Sequence, residues 1–415
     1  MLRGHKGLRH LLCPPLFVRF DGFIWWFGKK TLSLQQMKRR IRQCGWRLTV
    51  VAGVLGCAVS GMAGDDEFTV ASLNVDGLPS TIWIIPSNPD GPGADGTRAV
   101  SQYLAEKRYD IIGTQEDFNY DEELRSALES DYSYGLWKGG IDMGKVNWLR
   151  FWDTKFDTDG LRLFWRKEHR QELEEAKTWH DSYGRFDHCW DDMVTKGFSR
   201  NEMTLASGRR IVVYNMHMDA STEADEAVGN DQGDMAARRS QWIQLREELM
   251  SRLDDRPVIL LGDMNSLYPR DSILSLFIDP INATGLYEVK DAWVESHLGG
   301  VFPALGGDRH VAYANGEALD KILYINPLHG SRIELKWYRQ ERDYTWDDGT
   351  PMGDHYPVAA AFTFVDGQPD GMRPLEHWLV ADAFYAVDGR SLSQPHRGLN
   401  IVRMSDGSVR KMIIR

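Results

Sequence analysis

Five short polar clusters, each next to an apolar run, constrain the fold of this chain more than any other feature. The clusters are Asn74, Gln115–Asp117, Asn215–Asp219, Gly262–Asn265 and Gly353–His355. The runs that precede the first four are Phe68–Ala71, Tyr109–Gly113, Arg210–Tyr214 and Pro257–Leu261. Short apolar runs bounded by turn residues are typical of buried strands. The pattern therefore predicts strands that deliver carboxylates, carboxamides and histidines to a cleft.

The residue types in these clusters suit one kind of chemistry. A hard divalent cation takes oxygen ligands, and histidines can move protons and stabilise phosphoryl charge. Asp263 and Asn265 are two residues apart, so an extended backbone places both side chains on one face. His217 and Asp219 have the same spacing. Each cluster taken alone also fits a turn or a helix cap, and this alternative stays open for each of them.

Taken in order, the clusters resemble those of the endonuclease/exonuclease/phosphatase (DNase I-like) superfamily. The resemblance covers about residues 67–365, and the segments that carry it are Gln115–Glu116, Gly262–Asn265 and Gly353–Pro357. It implies an α/β fold, a four-layer sandwich of two packed mixed β-sheets flanked by helices. The segments Asn74–Pro79, Gln115–Tyr120, Lys196–Phe198 and Asp291–Glu295 further resemble secreted sphingomyelinase-like members.

The resemblance also implies a cation site. It makes Glu116 the principal metal ligand, with Asn74 beside it and Asp354 in the metal shell. The expected cation is Mg²⁺ or another divalent cation such as Mn²⁺ or Ca²⁺. Asp76, Asp117 and Asp308 are nearby acids that we expect to be solvated or to lie behind the site.

Five further residues receive catalytic roles from the resemblance. His355 is the general base, and Asp320 fixes its tautomer. Asp263 orients the attacking water or a metal ion. His217 and Asn265 stabilise charge on the phosphoryl oxygens, so the mechanism needs no covalent intermediate.

The charge of the chain is unevenly placed. Residues 1–64 carry eleven Lys or Arg and one Asp, so the net charge of −11 for the whole chain leaves −21 for residues 65–415. A body this acidic lacks the basic stripe that suits a long nucleic-acid backbone. The whole chain is 42% hydrophobic, which is ample for a core. Residues 65–415 contain one cysteine, Cys189, which makes neither an internal disulfide nor a zinc site.

The first 64 residues resemble export signals. A basic stretch after Met37, an apolar run over residues 48–59 and small residues up to Ala63 predict a signal peptide over 37–64. Residues 1–36 are interpreted as a mis-assigned upstream start or a longer leader. Cys57 lies in a lipobox-like context, but we favour ordinary cleavage near Ala63. Secretion or cell-surface display is the expected fate.

The C-terminal residues are predicted to form a small β module. Residues 376–415 alternate apolar and polar residues around turns such as Asp406–Gly407, after a linker at 367–375. This tail resembles type IX secretion sorting domains, which would make the secretion machinery a partner. The alternative is a module that only packs on the catalytic domain, residues 65–366.

Three functions remain open at this point. Tryptophans and the apolar segment Ile82–Pro86 favour a membrane lipid, because indole rings settle at membrane interfaces, although the same tryptophans also suit a core. A sphingomyelinase or phospholipase C type phosphodiesterase is therefore predicted, in a monomeric protein. The alternatives are a secreted nuclease, which the acidic charge disfavours, and a non-catalytic binding module on the same fold.

Overall fold

The computed structural model describes residues 66–365 apart from short gaps, two residue pairs near the start, and most of residues 381–414. The gaps are 83–84, 87, 143–145, 147–152, 185–188, 190, 223–225, 227, 304–316, 387–388, 393–397 and 405–408. Contacts divide the chain into two units, Met1–Gly61 and Met62–Arg415. In the first unit, Arg19–Phe20 pairs with Phe23–Ile24. Otherwise the predicted leader, signal peptide and linker lie outside the described residues.

Twelve strands of the second unit form two large sheets. In chain order they are β1 (Glu67–Asn74), β2 (Ile111–Gln115), β3 (Tyr132–Tyr134), β4 (Arg162–Arg166), β5 (Arg170–Thr178), β6 (Gly197–Thr204), β7 (Arg210–His217), β8 (Val258–Asp263), β9 (Tyr287–Asp291), β10 (Asp320–Pro327), β11 (Arg332–Gln340) and β12 (Val358–Val365). Sheet I has the order β9-β10-β8-β7-β6-β5, and sheet II has the order β11-β12-β1-β2-β4-β3. Each sheet is mixed, because β7 runs parallel to β8 in sheet I and β1 runs parallel to β2 in sheet II.

The two sheets pack face to face around one apolar core. Phe68 and Val70 of sheet II and Val213 and Ile259 of sheet I belong to the same buried cluster. Side chains alternate between the two faces of a strand, so the intervening residues of each strand face outward. On sheet II these outward residues include Ala71 and Leu73, which pack in a second cluster with helical residues.

Helices cover the outer faces of the sheets. They are α1 (Gly93–Lys107), α2 (Asp121–Arg125), α3 (Gln232–Met250), α4 (Tyr268–Asp271), α5 (Asp279–Asn282) and α6 (Ala292–Leu298), with single turns of 3-10 helix at Asp191–Met193 and of π-helix at Leu274–Ile278. The α1 residues Val100 and Leu104 pack against sheet II. The predicted four-layer arrangement is therefore confirmed.

The longest helix differs from its predicted bounds. An apolar periodicity over residues 238–253 predicts a helix there, whereas α3 spans Gln232–Met250. The periodicity marks only the buried stripe that contains Trp242 and Leu245. The first turns also face inward, but they do so through polar and small residues such as Asp234 and Ala237, so hydrophobicity alone misses them.

The C-terminal residues form a separate four-stranded antiparallel sheet. Its strands are β13 (Ala381–Tyr385), β14 (Ser391–Leu392), β15 (Gly398–Met404) and β16 (Val409–Ile414), in the order β14-β13-β15-β16. A small β module is thus present, as the alternation of residues predicts. Among the helices in the described part of the chain, none combines the length and the apolar character needed to cross a membrane.

Candidate active site

The ends of the central strands bring the predicted residues together. Asn74 ends β1, and Glu116 directly follows β2, its parallel neighbour. In sheet I, His217 and Asp263 are register partners at the ends of the parallel strands β7 and β8. Asp320 begins β10 directly opposite Asp263. Since the carboxyl ends of parallel strands meet at one edge, both sheets deliver polar groups to the same end of the sandwich.

Two backbone features shape these strand ends. Gly262 has φ +150°, and a Cβ at this position would stand 2.0 Å from the carbonyl oxygen of Met216. Only glycine lets β8 approach β7 so closely just before Asp263. Glu116 and Asn265 adopt φ values of 60° and 46°, in the left-handed region that non-glycine residues seldom occupy. Such conformations concentrate at functional sites.

Asp263 lies at the centre of the site and is 1% exposed. Its Oδ2 accepts a hydrogen bond from Asn74 Nδ2 at 3.1 Å, and it lies 3.6 Å from His217 Nε2 and 3.7 Å from His355 Nε2. Burial opposes the charged form of Asp263. However, the positive charge of the nearby His355, the Asn74 hydrogen bond and the charge of Lys196 outweigh burial and lower the pKa of Asp263. This carboxylate is therefore charged and faces both histidines.

His355 and Asp320 form a close pair. The distance from His355 Nδ1 to Asp320 Oδ2 is 2.6 Å. Burial disfavours the charged ring, but the carboxylates of Asp320 and Asp263 outweigh it and hold the pKa of His355 well above its ordinary value. The pair has the geometry that a base oriented by a carboxylate needs.

His217 is fully buried and faces the two carboxylates from the other side. Its Nε2 lies 3.7 Å from Glu116 Oε1 and 3.6 Å from Asp263 Oδ2. Among the described residues, neither ring nitrogen has a hydrogen-bond partner. Burial, and then the charge of Lys196, lower the pKa of His217 well below its ordinary value. A neutral ring with an unused donor can serve a bound anion.

The predicted cation ligands fit a divalent ion. Asn74 Nδ2 donates to Glu116 Oε1 at 2.9 Å and to Asp263 Oδ2 at 3.1 Å, so one amide group lies between two carboxylates that converge from different sheets. Burial raises the pKa of Glu116. Oxygen donors of this kind suit Mg²⁺, Mn²⁺ or Ca²⁺. Donor atoms of Asp263, Asp320 and His355 also lie within 4.8 Å of one another, and within this group His355 Nδ1 and Asp320 Oδ2 are hydrogen-bond partners.

Asp354 lies apart from the buried centre. It is exposed, and its electrostatic effects reach Glu116, Asp76 and His355. Asp76 is half-buried beside it, and its backbone amide donates to Asn74 Oδ1 at 3.0 Å. Burial, followed by the charges of Asp354 and Glu116, raises the pKa of Asp76 to about 7. Asp76 therefore belongs to the rim of the site. Its position two residues after Asn74 in the sequence could have indicated this.

Of the other two neighbouring acids, one is described. Asp117 is 0% exposed, which leaves the alternative that it lies behind the site, and burial together with the carboxylate of Asp121 raises its pKa to about 8. It lies behind Glu116, where Trp137 Nε1 donates to its backbone carbonyl at 2.6 Å. Asp308 lies outside the described residues.

Lys196 is a site residue to which the sequence analysis gave no role. It is buried, forms an ion pair with Asp191, and donates to the carbonyl oxygen of Met218 at 3.4 Å. Burial would lower its pKa, but the charges of Asp191 and Glu116 raise it. The ammonium group thus supplies permanent positive charge near Glu116. The signal in the sequence was the segment Lys196–Phe198, which carried the resemblance without a function.

Asn265 is fixed on three sides. Its amide N–H donates to Asp263 Oδ1 at 2.9 Å, its Nδ2 donates to Met218 O at 3.2 Å, and its carbonyl accepts a hydrogen bond from Arg270 Nη2. Asp219 is buried behind hydrogen bonds of its own. Its Oδ2 accepts a hydrogen bond from the backbone of Tyr183 at 2.7 Å, in keeping with a structural role.

Only some of the tryptophans that favoured a lipid substrate are among the described residues. Trp165 and Trp179 are buried, and Trp179 Nε1 donates to the carbonyl of His217 at 2.6 Å. These two therefore serve the fold and not a membrane interface. Trp83, Trp148, Trp152 and Trp190 lie outside the described residues.

The chain is similar to several known proteins. Sphingomyelinases of Mycobacterium bovis and Mycobacterium tuberculosis are each 24% identical over 306 residues, which are 72% of this chain and 53% of theirs. The chain thus spans about half the length of the curated relatives it matches. Among solved structures, a humanized D. rerio TDP2 has a TM-score of 0.48 at 16% identity, covering 72% of this chain and 99% of that one. An endonuclease/exonuclease/phosphatase family protein of Bacteroides thetaiotaomicron has a TM-score of 0.47 at 18% identity, covering 72% and 98%.

A family model matches more than half of the chain. The Endonuclease/Exonuclease/phosphatase family matches residues 71–324, which include the strands of sheet I, with β10 only as far as Tyr324, and the site residues from Asn74 to Asp320. His355 and Asp354 follow the matched region and join the site through the fold. The chain therefore belongs to the Endonuclease/Exonuclease/phosphatase family, whose members are metal-dependent phosphoester hydrolases.

Proposed function

We propose that this protein hydrolyses a lipid phosphodiester of the sphingomyelin type by direct attack of water, with a divalent cation. The observation that carries the hydrolytic part is the hydrogen-bonded pair of His355 and Asp320 beside Asp263. A binding module has no use for an oriented base next to a buried carboxylate. The geometry therefore favours a catalyst over the non-catalytic alternative.

His355 provides the base for this reaction. His355 must first release the proton that the carboxylates of Asp320 and Asp263 favour, since they raise its pKa. Nδ1–H then donates to Asp320 Oδ2, and the lone pair of Nε2 is left to accept a proton. Nε2 takes the proton of the attacking water, whose oxygen forms the new bond to phosphorus while the bond to the leaving alkoxide breaks. Asp320 then stabilises the imidazolium that results. His355 Nε2 and Asp263 Oδ2 are 3.7 Å apart, so one water molecule can contact both, and Asp263 can orient it.

The remaining residues act on the phosphate. His217 and Asn265 donate to nonbridging oxygens as charge develops on them, and they do so from fixed, desolvated positions. Glu116 and Asn74, with Asp354 and Asp76 at the rim, would hold the divalent cation. When bound there, the cation supplies positive charge that polarises the phosphate and offsets charge on the leaving oxygen.

Two observations support a lipid as the substrate. The curated relatives are named sphingomyelinases, and the net charge of −21 on residues 65–415 disfavours a polyanion that needs many cationic contacts. Nucleic acid remains the competing substrate class, and the test must include it.

The decisive experiment uses the purified full chain with Mg²⁺. Sphingomyelin in mixed micelles should release phosphocholine, while single- and double-stranded DNA should stay intact. Hydrolysis in ¹⁸O-labelled water in a single turnover should label the phosphocholine, as direct attack requires. His355→Ala, purified in the same way, excludes a contaminating enzyme. Cleavage of DNA alone would contradict the lipid assignment, and inactivity on both substrates would favour the binding module.

We further propose that the protein is exported and that its C-terminal sheet is a sorting module. The signal-like segment 37–64 and the separate pairing of β13 to β16 support this. Deleting residues 376–415 should leave turnover near that of the full chain while the protein is no longer released from the cell. An inactive deletion variant would instead make the module part of the catalytic fold.

A further inference from the structure

The space between the two sheets is layered beneath the site. Residues two apart on a strand face the same side, so each strand contributes one residue to each successive layer. The layer at the site contains Asn74, His217 and Asp263, and the layer two steps below it contains Val70, Val213 and Ile259. Between them, Ser72 of β1 is level with Gly113 of β2, and Asn215 of β7 is level with the apolar Leu261 of β8. Gln115 pairs in register with Asn74, but its side chain reaches down to Ser72 and Asn215. We call the side chains of Ser72, Gln115 and Asn215 the polar floor; each is 0% exposed.

Asn215 connects the polar floor across the two sheets. It lies on β7 of sheet I, but its three side-chain hydrogen bonds all reach sheet II. Its Oδ1 accepts from Gln115 Nε2 at 2.7 Å, and its Nδ2 donates to the carbonyl oxygens of Thr114 at 3.0 Å and Arg162 at 3.1 Å. The side chain is thus completely satisfied by the opposite sheet.

Ser72 has a different place in the same layer. Its hydroxyl accepts from Gln115 Nε2 at 3.2 Å and lies 3.4 Å from Gln115 Oε1. Both residues belong to sheet II. Ser72 therefore supports Gln115 without bridging the sheets, which makes it a natural control.

A glycine allows the sheets to meet at this level. A Cβ on Gly113 would stand 2.0 Å from Leu261 Cδ1 and 2.8 Å from Asn215 Oδ1. The backbone of β2 therefore contacts sheet I directly at the floor. Gly113 does not have a positive φ. Glycine is therefore required here by the lack of space for a side chain and not by the backbone conformation.

Hydrogen bonds and apolar contacts differ in what they specify. Apolar burial is non-directional, so two apolar faces tolerate small sliding motions. An N–H···O bond weakens steeply outside a narrow range of length and angle. Three such bonds on one side chain therefore fix the position of one sheet on the other within a fraction of an ångström.

We infer that Gln115 and Asn215 are positioning residues that set the distance between the two halves of the cation site. Gln115 directly precedes Glu116 in sheet II. Asn215 is two residues before His217, which pairs in register with Asp263 in sheet I. The floor thus couples the carboxylate of Glu116 to that of Asp263. This inference rests on the cation-dependent hydrolase site and not on the lipid substrate.

The test compares near-isosteric apolar variants of the full chain: Gln115→Met, Asn215→Leu and the double variant. Three quantities are measured: the Kd for Mn²⁺ from the electron paramagnetic resonance signal of free Mn²⁺, the Tm without metal, and kcat on a soluble phosphodiester. Each single variant leaves a buried polar partner without its bond, so its Tm should fall by roughly 3–8 °C. The double variant removes both members of the Gln115–Asn215 bond, so part of the Tm should return, while the carbonyl oxygens of Thr114 and Arg162 still lack the Asn215 donor.

The Kd for Mn²⁺ shows whether the polar floor positions the cation ligands or only stabilises the fold. If the floor positions the ligands, the double variant should still bind Mn²⁺ about 10-fold more weakly than the parent, with a matching loss in kcat. Recovery of the Mn²⁺ affinity together with the Tm would overturn the inference. Ser72→Ala should change the Kd less than about 2-fold, because it cuts no bond between the sheets. A parent that binds Mn²⁺ but leaves sphingomyelin intact would contradict the proposed function alone.

A second variant keeps the test open if the apolar variants do not fold. Gly113→Ala retains every polar group of the floor and places a methyl group against Leu261. It should push the sheets apart at this layer and raise the Kd for Mn²⁺ at least several-fold. A Kd equal to that of the parent in a folded Gly113→Ala protein would overturn the inference as well.

Discussion

The two sheets contribute to the candidate site in different ways. Sheet I supplies His217, Asp263 and Asp320 from within its strands, and none of these residues is more than 5% exposed. Sheet II supplies Glu116 and His355 from the loops that adjoin its strands, with side chains 20% and 16% exposed. The site residues that sheet I supplies are thus rigid and desolvated, while Glu116 and His355 of sheet II can be reached from solvent.

This difference suggests a division of labour. Ladder hydrogen bonds hold the strand residues of sheet I, so their dipoles and charges need little reorganisation during the reaction. A cation and a water molecule must enter and leave, which suits residues on accessible loops. If the division is correct, substitution of His217 or Asp320 in sheet I should lower kcat, and substitution of Glu116 or His355 in sheet II should weaken cation binding or remove the base.

The largest effect should come from the pair that joins the two sheets. His355→Ala should lower kcat/KM by about 10²- to 10⁴-fold, because the general base is lost. Asp320→Asn should lower kcat strongly and leave substrate binding nearly unchanged. The double variant should be little worse than His355→Ala, since residues that act as one unit are not additive. Multiplicative losses in a steady-state double-mutant cycle would contradict the pairing, and the exposed His180→Ala serves as the control.

A smaller loss is expected from the cation ligand of sheet II. Glu116→Gln should reduce turnover by at least ~100-fold and raise the Mg²⁺ concentration for half-maximal rate. Chelator-treated parent protein should be inactive until a divalent cation is added back. The exposed Glu122→Gln carries the same chemical change outside the site and should behave like the parent. Full activity after chelation would contradict the assignment of Glu116 as the cation ligand that sheet II contributes.

His217 tests the sheet I side of the same comparison. His217→Gln should lower kcat by roughly 10- to 100-fold while the Kd for Mn²⁺ stays close to that of the parent, because the ring acts on phosphoryl charge. Stopped-flow turnover and Mn²⁺ titration measure the two quantities separately. A His217 variant that loses cation affinity and keeps kcat would reverse the assigned roles.

The smallest effect concerns an ion pair of sheet I away from the site. Hydrogen bonds from Arg256 and Arg200 lower the pKa of Glu202 to about 2, below its ordinary value of 4.5. The stabilisation is complete above the ordinary pKa and is lost as the pH falls from about 5 to 2. Glu202→Gln should therefore unfold at a lower Tm at pH 7 and nearly the same Tm at pH 2. Turnover at pH 7 should not change.

The sequence predicts part of this site for a clear physical reason. Asp263 and His217 follow apolar runs directly, so the end of each strand and its polar residue can be read together. The partnership of Asp320 with His355 spans 35 residues. Only the resemblance to a family indicated it, because no local pattern encodes which strands become neighbours.

Other features depend on contacts between distant strands. Asn215 begins the polar cluster Asn215–Asp219 in the sequence, but its three bonds to sheet II appear only when the sheets are packed. The burial of Lys196 against Asp191 likewise contradicts the usual preference of lysine for solvent. Such residues are costly in isolation and make sense only with their partners, which a single sequence does not show.

Strand β5 has a consequence for how the protein behaves at high concentration. It forms one edge of sheet I, and its exposed positions include Arg170, Glu172 and Lys177. An incoming strand from another molecule would have to strip water from these charges before it could extend the sheet. The edge of this nine-residue strand therefore resists the strand-on-strand association that leads to aggregates.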